Sequence, residues 1–278
     1  MAFGLNPDEE QIKAKSVRRN VVLTAAVAGF SGLLFGYDAG IIATAMLFIR
    51  GDFDLSSLEQ GIVISSVPIG AAIGALAASR LADTAGRRVT IISAAAVFIA
   101  GAALSAAAPD AVVLTVARLG IGVAIGFASA AAPVYIAEMA PPEVRGRLVT
   151  FFQLAVTVGI LSAYLVGWAF EPIDGWRWMM GVGIVPAVFL GIGMLRMPRS
   201  PGWLVMVGRE DDARATLGRI RVSDAAVDEE IDEIQRAVAE ARGGGWSELR
   251  EPVVRAALLI GVGLMIFSQI TGINTVIY

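Results

Sequence analysis

The chain has 278 residues, 56% of them hydrophobic, with a mean hydropathy of +0.70. So much apolar surface in a chain of this size reads as lipid-facing, and the net charge of −3 says little because the charges are segregated between apolar runs. With neither cysteine nor histidine, disulfides, thiolate chemistry, the common zinc and haem sites and histidine acid–base catalysis are excluded.

Residues 1–20 form a polar tail ending in Lys13, Lys15, Arg18 and Arg19. The apolar run that follows is too long for the core of a cleaved signal, so it is expected to stay as a membrane helix. Six spans are predicted: Val21–Ile49, Gln60–Ser79, Val89–Ala108, Ala111–Ala137, Leu148–Phe170 and Trp178–Leu195. They make a bundle over 21–195. A polar segment follows over 196–255, and a seventh apolar run, Ala256–Tyr278, ends the chain. Within the polar segment, Val227, Ile231, Ile234 and Val238 recur at helical spacing, Ser223 is placed to cap that helix, and a shorter helix is expected over Glu210–Arg219. The segment reads either as a small helical domain bracing the bundle or as a solvated linker.

Basic residues orient the chain. The tail and the loops after spans 2 and 4 hold Lys13, Lys15, Arg18, Arg19, Arg80, Arg87, Arg88, Arg145 and Arg147, whereas the opposite loops hold Arg50 and Arg177. The positive-inside rule puts the N-terminus in the cytoplasm of a cell-membrane protein. Trp168, Phe170, Trp176 and Trp178 are expected to form an interfacial belt at the outer end of spans 5 and 6. Gly70 and Gly74 in span 2, with Gly120, Gly122 and Gly126 in span 4, read as smooth faces for close helix packing, which would also permit sliding.

Two charges lie deep in apolar spans, Asp38 in the first and Arg118 in the fourth. A carboxylate at mid-membrane costs about 2.5–3.5 kcal/mol on insertion scales, so it is retained for a task. Low dielectric disfavours its charged form and a nearby guanidinium favours it, while the arginine keeps its proton throughout. A modest change in separation would therefore switch the carboxylate, making Asp38 a proton carrier. The bland alternative is a permanent structural ion pair. A second group, Asp83, Arg87 and Arg88 after span 2, with Glu138, Arg145 and Arg147 after span 4, reads either as an ionic latch at the inner face or as solvated loops. A third group is polar and uncharged: Gln153, Gln269, Thr271 and Asn274. Amides both donate and accept, as a polyhydroxylated ligand requires, or they hydrogen-bond between helices. Gln269 and Asn274 lie roughly 140° apart on a helix, so both would reach one cavity only if the chain unwinds near Gly272.

Taken together, Phe35-Gly-Tyr-Asp38, Asp83-Thr-Ala-Gly-Arg-Arg88, Arg118-Leu-Gly-Ile-Gly122, Pro133-Val-Tyr-Ile-Ala-Glu138-Met-Ala-Pro141 with Arg145-Gly-Arg147, Gln153, Trp176-Arg-Trp-Met179, Pro198-Arg-Ser-Pro-Gly-Trp203-Leu and Gln269-Ile-Thr-Gly-Ile-Asn274 resemble the sugar porter family of the major facilitator superfamily. The resemblance implies an all-α membrane protein whose six-helix half, cytoplasmic helices and seventh helix are present here. A second six-helix half would lie beyond this chain. It implies transport of a sugar, of monosaccharide size, by alternating access, with no cofactor and no enzymatic step. Phe35, Gln153, Gln269 and Asn274 would contact the sugar, Asp38 would carry the proton beside Arg118, and Asp83, Arg87, Arg88, Glu138 and Arg145 would form the cytoplasmic gate. A uniporter, or a sugar sensor that does not transport, would keep the same motifs. Three departures stand out: Ser79 replaces a glycine, Ser268 replaces the first of two glutamines, and Arg199 and Gly202 stand where the family carries Glu and Arg.

Overall fold

The computed structural model describes residues 7–221, 223–243 and 252–270, all of its regular structure being helical. α1 (Pro7–Asp52), α2 (Ser57–Thr84), α3 (Arg87–Ala106), α4 (Ala111–Met139) and α5 (Pro142–Phe170) are long. α6 (Trp176–Val182) and α7 (Ile184–Arg196) share the next span. The short helices α8 (Pro201–Met206) and α9 (Glu210–Leu217), then α10 (Asp224–Gly243), form the polar segment, and α11 (Pro252–Ile270) follows. Among the described residues, six helical segments are long and apolar enough to cross a membrane, from Lys15–Asp52 to Trp176–Arg196.

Local chemistry sets the boundaries. Ser56 and Glu59 close a capping box at the start of α2. Asp110 caps α4 by accepting from the Val113 amide at 2.8 Å, and Ser223 accepts from Ala226 at the start of α10. Gly86 takes a φ of +95°, which lets the chain reverse between α2 and α3 with the Trp203 ring packed against it. The sixth predicted span breaks into α6 and α7 at Gly183. Pro186 has no N–H to give the Val182 carbonyl, so the helical ladder is interrupted there.

Two glycine seams determine the packing. A Cβ at Gly70 or Gly74 of α2 would lie 2.2–2.3 Å from the carbonyl oxygens of Leu119 and Val123 of α4. Gly122 and Gly126 answer from α4, where a Cβ at either would fall 2.3 Å from an α2 carbonyl oxygen. Gly120 is not part of this contact, since a Cβ there meets nothing within 4 Å. An offset of two residues on a helix turns it roughly 200° from Gly122, to the side away from α2. A second seam, not anticipated from the sequence, joins α1 to α5 through Gly32, Gly36 and Gly159, again against backbone. Backbone contact of this kind replaces the hydrophobic driving force that lipid cannot supply.

Of the residues expected in an interfacial belt, Trp168 and Trp178 are 74% and 65% exposed, as such a place would need, but Trp176 is not. Trp176 is buried, donates its indole N–H to Asp52 at 2.7 Å, and is covered by the Arg177 guanidinium at 4.1 Å. Arg177 also reaches Asp52 and the Ala108 carbonyl, tying the far ends of α1, α3 and α6 together.

The seams make a sharp prediction. Gly74→Ala forces a methyl into the Val123 carbonyl and lowers the thermal midpoint of the detergent-purified protein. Gly120→Ala leaves it unchanged or raises it, in line with the roughly 0.5–1 kcal/mol that alanine gains over glycine inside a helix. Equal shifts in a thermal unfolding assay would contradict the packing.

Candidate functional site

The apolar core divides into two clusters. One holds Leu34, Phe98, Ile121 and Ile136 toward the end carrying the N-terminal residues. The other holds Ile41, Ile42, Leu114 and Met179 toward the opposite end. Asp38 of α1 and Arg118 of α4 sit between them, 3% and 1% exposed. Their side chains meet at 3.4 Å, Nη1 donating to Oδ1. Arg118 Nε donates to the Val63 carbonyl of α2 at 3.3 Å, and Nη1 also lies 3.9 Å from the Met180 sulfur of α6. Four helices thus converge on one guanidinium.

The contact is long and single-pointed. A tight charge-assisted bond would be about 2.7–2.9 Å, and an arginine–carboxylate fork would use two of them. Here the guanidinium divides its donors between a carboxylate and a carbonyl, so it retains a polar partner if the carboxylate loses its charge. Next to Asp38, the Tyr37 hydroxyl donates to the Met179 carbonyl at 2.6 Å, pinning α1 to α6 independently of the ion pair.

Of the residues assigned to the sugar, Phe35 is 39% exposed and Gln153 is exposed. Among the described residues no hydrogen bond engages the Gln153 side chain, while its backbone carbonyl accepts from Thr157 at 3.3 Å. α1 and α5 run side by side through their glycine seam, which places both residues along one helix pair. Gln269 belongs to α11, but its side chain lies outside the described residues, as do Thr271 and Asn274.

At the end carrying the N-terminal residues, Arg87 pairs with Glu138 at 3.1 Å and, more loosely, with Asp83 at 3.9 Å. Arg88 is not in that pair. It donates to the carbonyls of Met194 and Leu195 at 2.9 and 2.5 Å, neutralising the negative end of α7. Nor does Arg145 join Glu138. It is exposed and, with Arg147, makes no ion pair among the described residues, because α5 begins at Pro142 and carries both outward. α8 completes the cluster. Trp203 donates to the Asp83 carbonyl at 3.0 Å, Tyr135 donates to Pro198 at 2.8 Å, and Arg199 stacks on the Trp203 ring. Gly202 packs on the Glu138 carboxylate, a Cβ there falling 3.0 Å from Oε2. Among the described residues, that oxygen and the nearby Ser200 hydroxyl are buried without a partner in hydrogen-bond geometry. The glycine therefore leaves Glu138 neutralised by Arg87 alone.

Arg221, unremarked in the sequence, is 6% exposed. It grips Glu230 of α10 with two bonds of 2.5 and 2.6 Å and points two further N–H groups at the Met139 and Ala140 carbonyls at 3.4 Å. It joins the small helices to the end of α4. Its place between two apolar residues, Ile220 and Val222, is the sequence signal that could have marked it as docked rather than solvated.

The family described as "Sugar (and other) transporter" matches residues 24–278. The chain belongs to this family, the sugar porters of the major facilitator superfamily. This sugar porter chain is 42% identical over 264 residues to the "Glucose transporter GlcP" of Staphylococcus epidermidis, covering 94% of this chain and 58% of that one. It is 40% identical over 268 residues to the "Galactose-proton symporter" of Escherichia coli, covering 95% and 58%. A solved structure of the proton:xylose symporter XylE bound to 6-bromo-6-deoxy-D-glucose superposes with a TM-score of 0.84 at 28% identity, over 93% of this chain and 61% of that one. The chain thus spans rather more than half the length of these relatives. With its six apolar segments it is an integral membrane protein.

The buried pair predicts strong coupling. Arg118→Ala strands a carboxylate in the core and is expected to cost about 3–5 kcal/mol, whereas Asp38→Ala/Arg118→Ala recovers much of that loss. Thermal midpoints of the two singles and the double measure this, and additive losses would contradict a direct interaction.

Proposed function

We propose that this chain is the N-terminal part of a proton-coupled sugar symporter working by alternating access, with Asp38 as the proton carrier and Arg118 as its partner. The observation that carries this reading is the single 3.4 Å contact between two side chains withdrawn from solvent. With Asp38 charged, the pair draws α1 and α4 together. With Asp38 neutral, Arg118 keeps only the Val63 carbonyl and the Met180 sulfur, and the attraction between the two helices weakens.

The sugar would lie against the exposed faces of Phe35 and Gln153, between this half and a second one supplying further contacts, with Gln269 and Asn274 opposite. A central site of that kind needs both halves. Proton entry on one side, sugar binding, closure, and release of both on the other complete a cycle in which neither moves alone.

The basic end of the bundle would face the cytoplasm. There the Arg87–Glu138 contact, braced by Asp83, Arg88 and α8, would close against the second half when the inner gate shuts. The relatives named as glucose transporter, D-xylose transporter and galactose-proton symporter support a monosaccharide as substrate.

Uptake by the full-length protein in proteoliposomes with an imposed proton gradient tests the reading. Asp38→Asn is expected to abolish accumulation against a sugar gradient while sparing exchange of sugar across the membrane. Accumulation at the wild-type level, or uptake with no alkalinisation of the medium in the wild type, would identify a uniporter with a structural ion pair instead.

A further inference from the structure

The cations at the basic end that make no ion pair among the described residues include Lys15, Arg18 and Arg19 on α1 and Arg147 on α5. Arg18 and Arg147 stand over a groove of about 470 Å³ between α1 and α5 whose floor is apolar: Val21, Val22, Leu148 and Phe151. A shallower groove of about 930 Å³ adjoins it along α1. It shares Arg18 and Val22 and adds Lys15, Arg19 and Leu23. Val22, Leu23 and Phe151 are 50%, 51% and 41% exposed. Among the described residues, one acid, Glu143, lines the first groove and none lines the second, so these four cations face one carboxylate.

The position on α1 limits what can fill these grooves. Ala26, at the inner end of the second, lies nine residues before Phe35, about two and a half turns, and therefore on the opposite side of the helix. The grooves open away from the face that a second half would cover. They pair a cationic rim, at the level where the hydrocarbon ends, with an apolar wall directed into it. A free anion would use the rim and leave the wall wet. An anionic phospholipid uses both.

We infer that these grooves form a binding site for an anionic phospholipid, its phosphate held by Arg18 and Arg147 and one acyl chain laid along Val22, Leu148 and Phe151. Occupancy would clamp the ends of α1 and α5, the two helices joined by the glycine seam that leads to Asp38.

Native mass spectrometry of the purified protein with phosphatidylglycerol or phosphatidylcholine tests the site. The protein is expected to retain phosphatidylglycerol selectively, and Arg18→Gln with Arg147→Gln to remove that preference, by roughly fivefold for each arginine lost. Single Arg147→Gln, at an exposed and unpaired side chain, gives the same reading if the double variant does not accumulate. Equal retention of the two lipids by the wild type, or undiminished phosphatidylglycerol retention in the variants, would overturn the inference. Inorganic phosphate is expected to leave bound phosphatidylglycerol in place. Its displacement by phosphate would mark a free-anion site and overturn the lipid assignment.

Discussion

A carboxylate and a guanidinium stripped of water impose one constraint on everything around them: the bundle must bring them together or leave both unpaired. Asp38 and Arg118 come from α1 and α4, and neither helix has freedom to choose another depth. The α1–α5 and α2–α4 glycine seams fix the helices' spacing to backbone contact, and Val63 on α2 offers its carbonyl where the guanidinium arrives. Removing such a pair's partner is costly because the survivor keeps its desolvation penalty with nothing to offset it. The same asymmetry makes the pair usable, since adding one proton to the carboxylate cancels the attraction without stranding the arginine.

Much of the fold was legible in the sequence because the bilayer constrains it so severely. A run of about twenty apolar residues has few options other than a helix, and all six predicted spans lie within or close to observed helices. The misses have local causes. Residue type alone points Trp176 to the lipid interface, but Asp52, three residues past the end of the first apolar run at Ile49, accepts its indole N–H. Gly120 was grouped with Gly122 and Gly126 by composition, although the helical period turns it off the seam. Gly32, Gly36 and Gly159 carry no sequence signal of their own, since only the facing backbone of the other helix shows that a side chain would not fit there.

For the site, the sequence revealed which residues are unusual but not which of them meet. A lone acid and a lone base in hydrocarbon have few possible partners, so Asp38 and Arg118 could be matched from the sequence. The charged ends were ambiguous for the opposite reason: six ionisable groups sat within reach, and solvent permits any pairing. The three-dimensional arrangement of the helix ends gives Arg87 to Glu138 and Arg88 to the end of α7, and leaves Arg145 and Arg147 pointing outward. The departure at Arg199 and Gly202 acquires physical content in the same way. A guanidinium on Trp203 and a glycine on Glu138 leave that carboxylate with Arg87 as its ionic partner among the described residues.

The central claim is that Asp38 changes charge as the sugar site is filled, and the carboxyl stretch reports this directly. Difference infrared spectra of the full-length protein, recorded with and without sugar, should contain a carboxylic-acid band that shifts on isotopic labelling of aspartate and vanishes in Asp38→Asn. A carboxylate that holds one charge state with and without sugar would contradict the account and leave Asp38 and Arg118 as a structural brace.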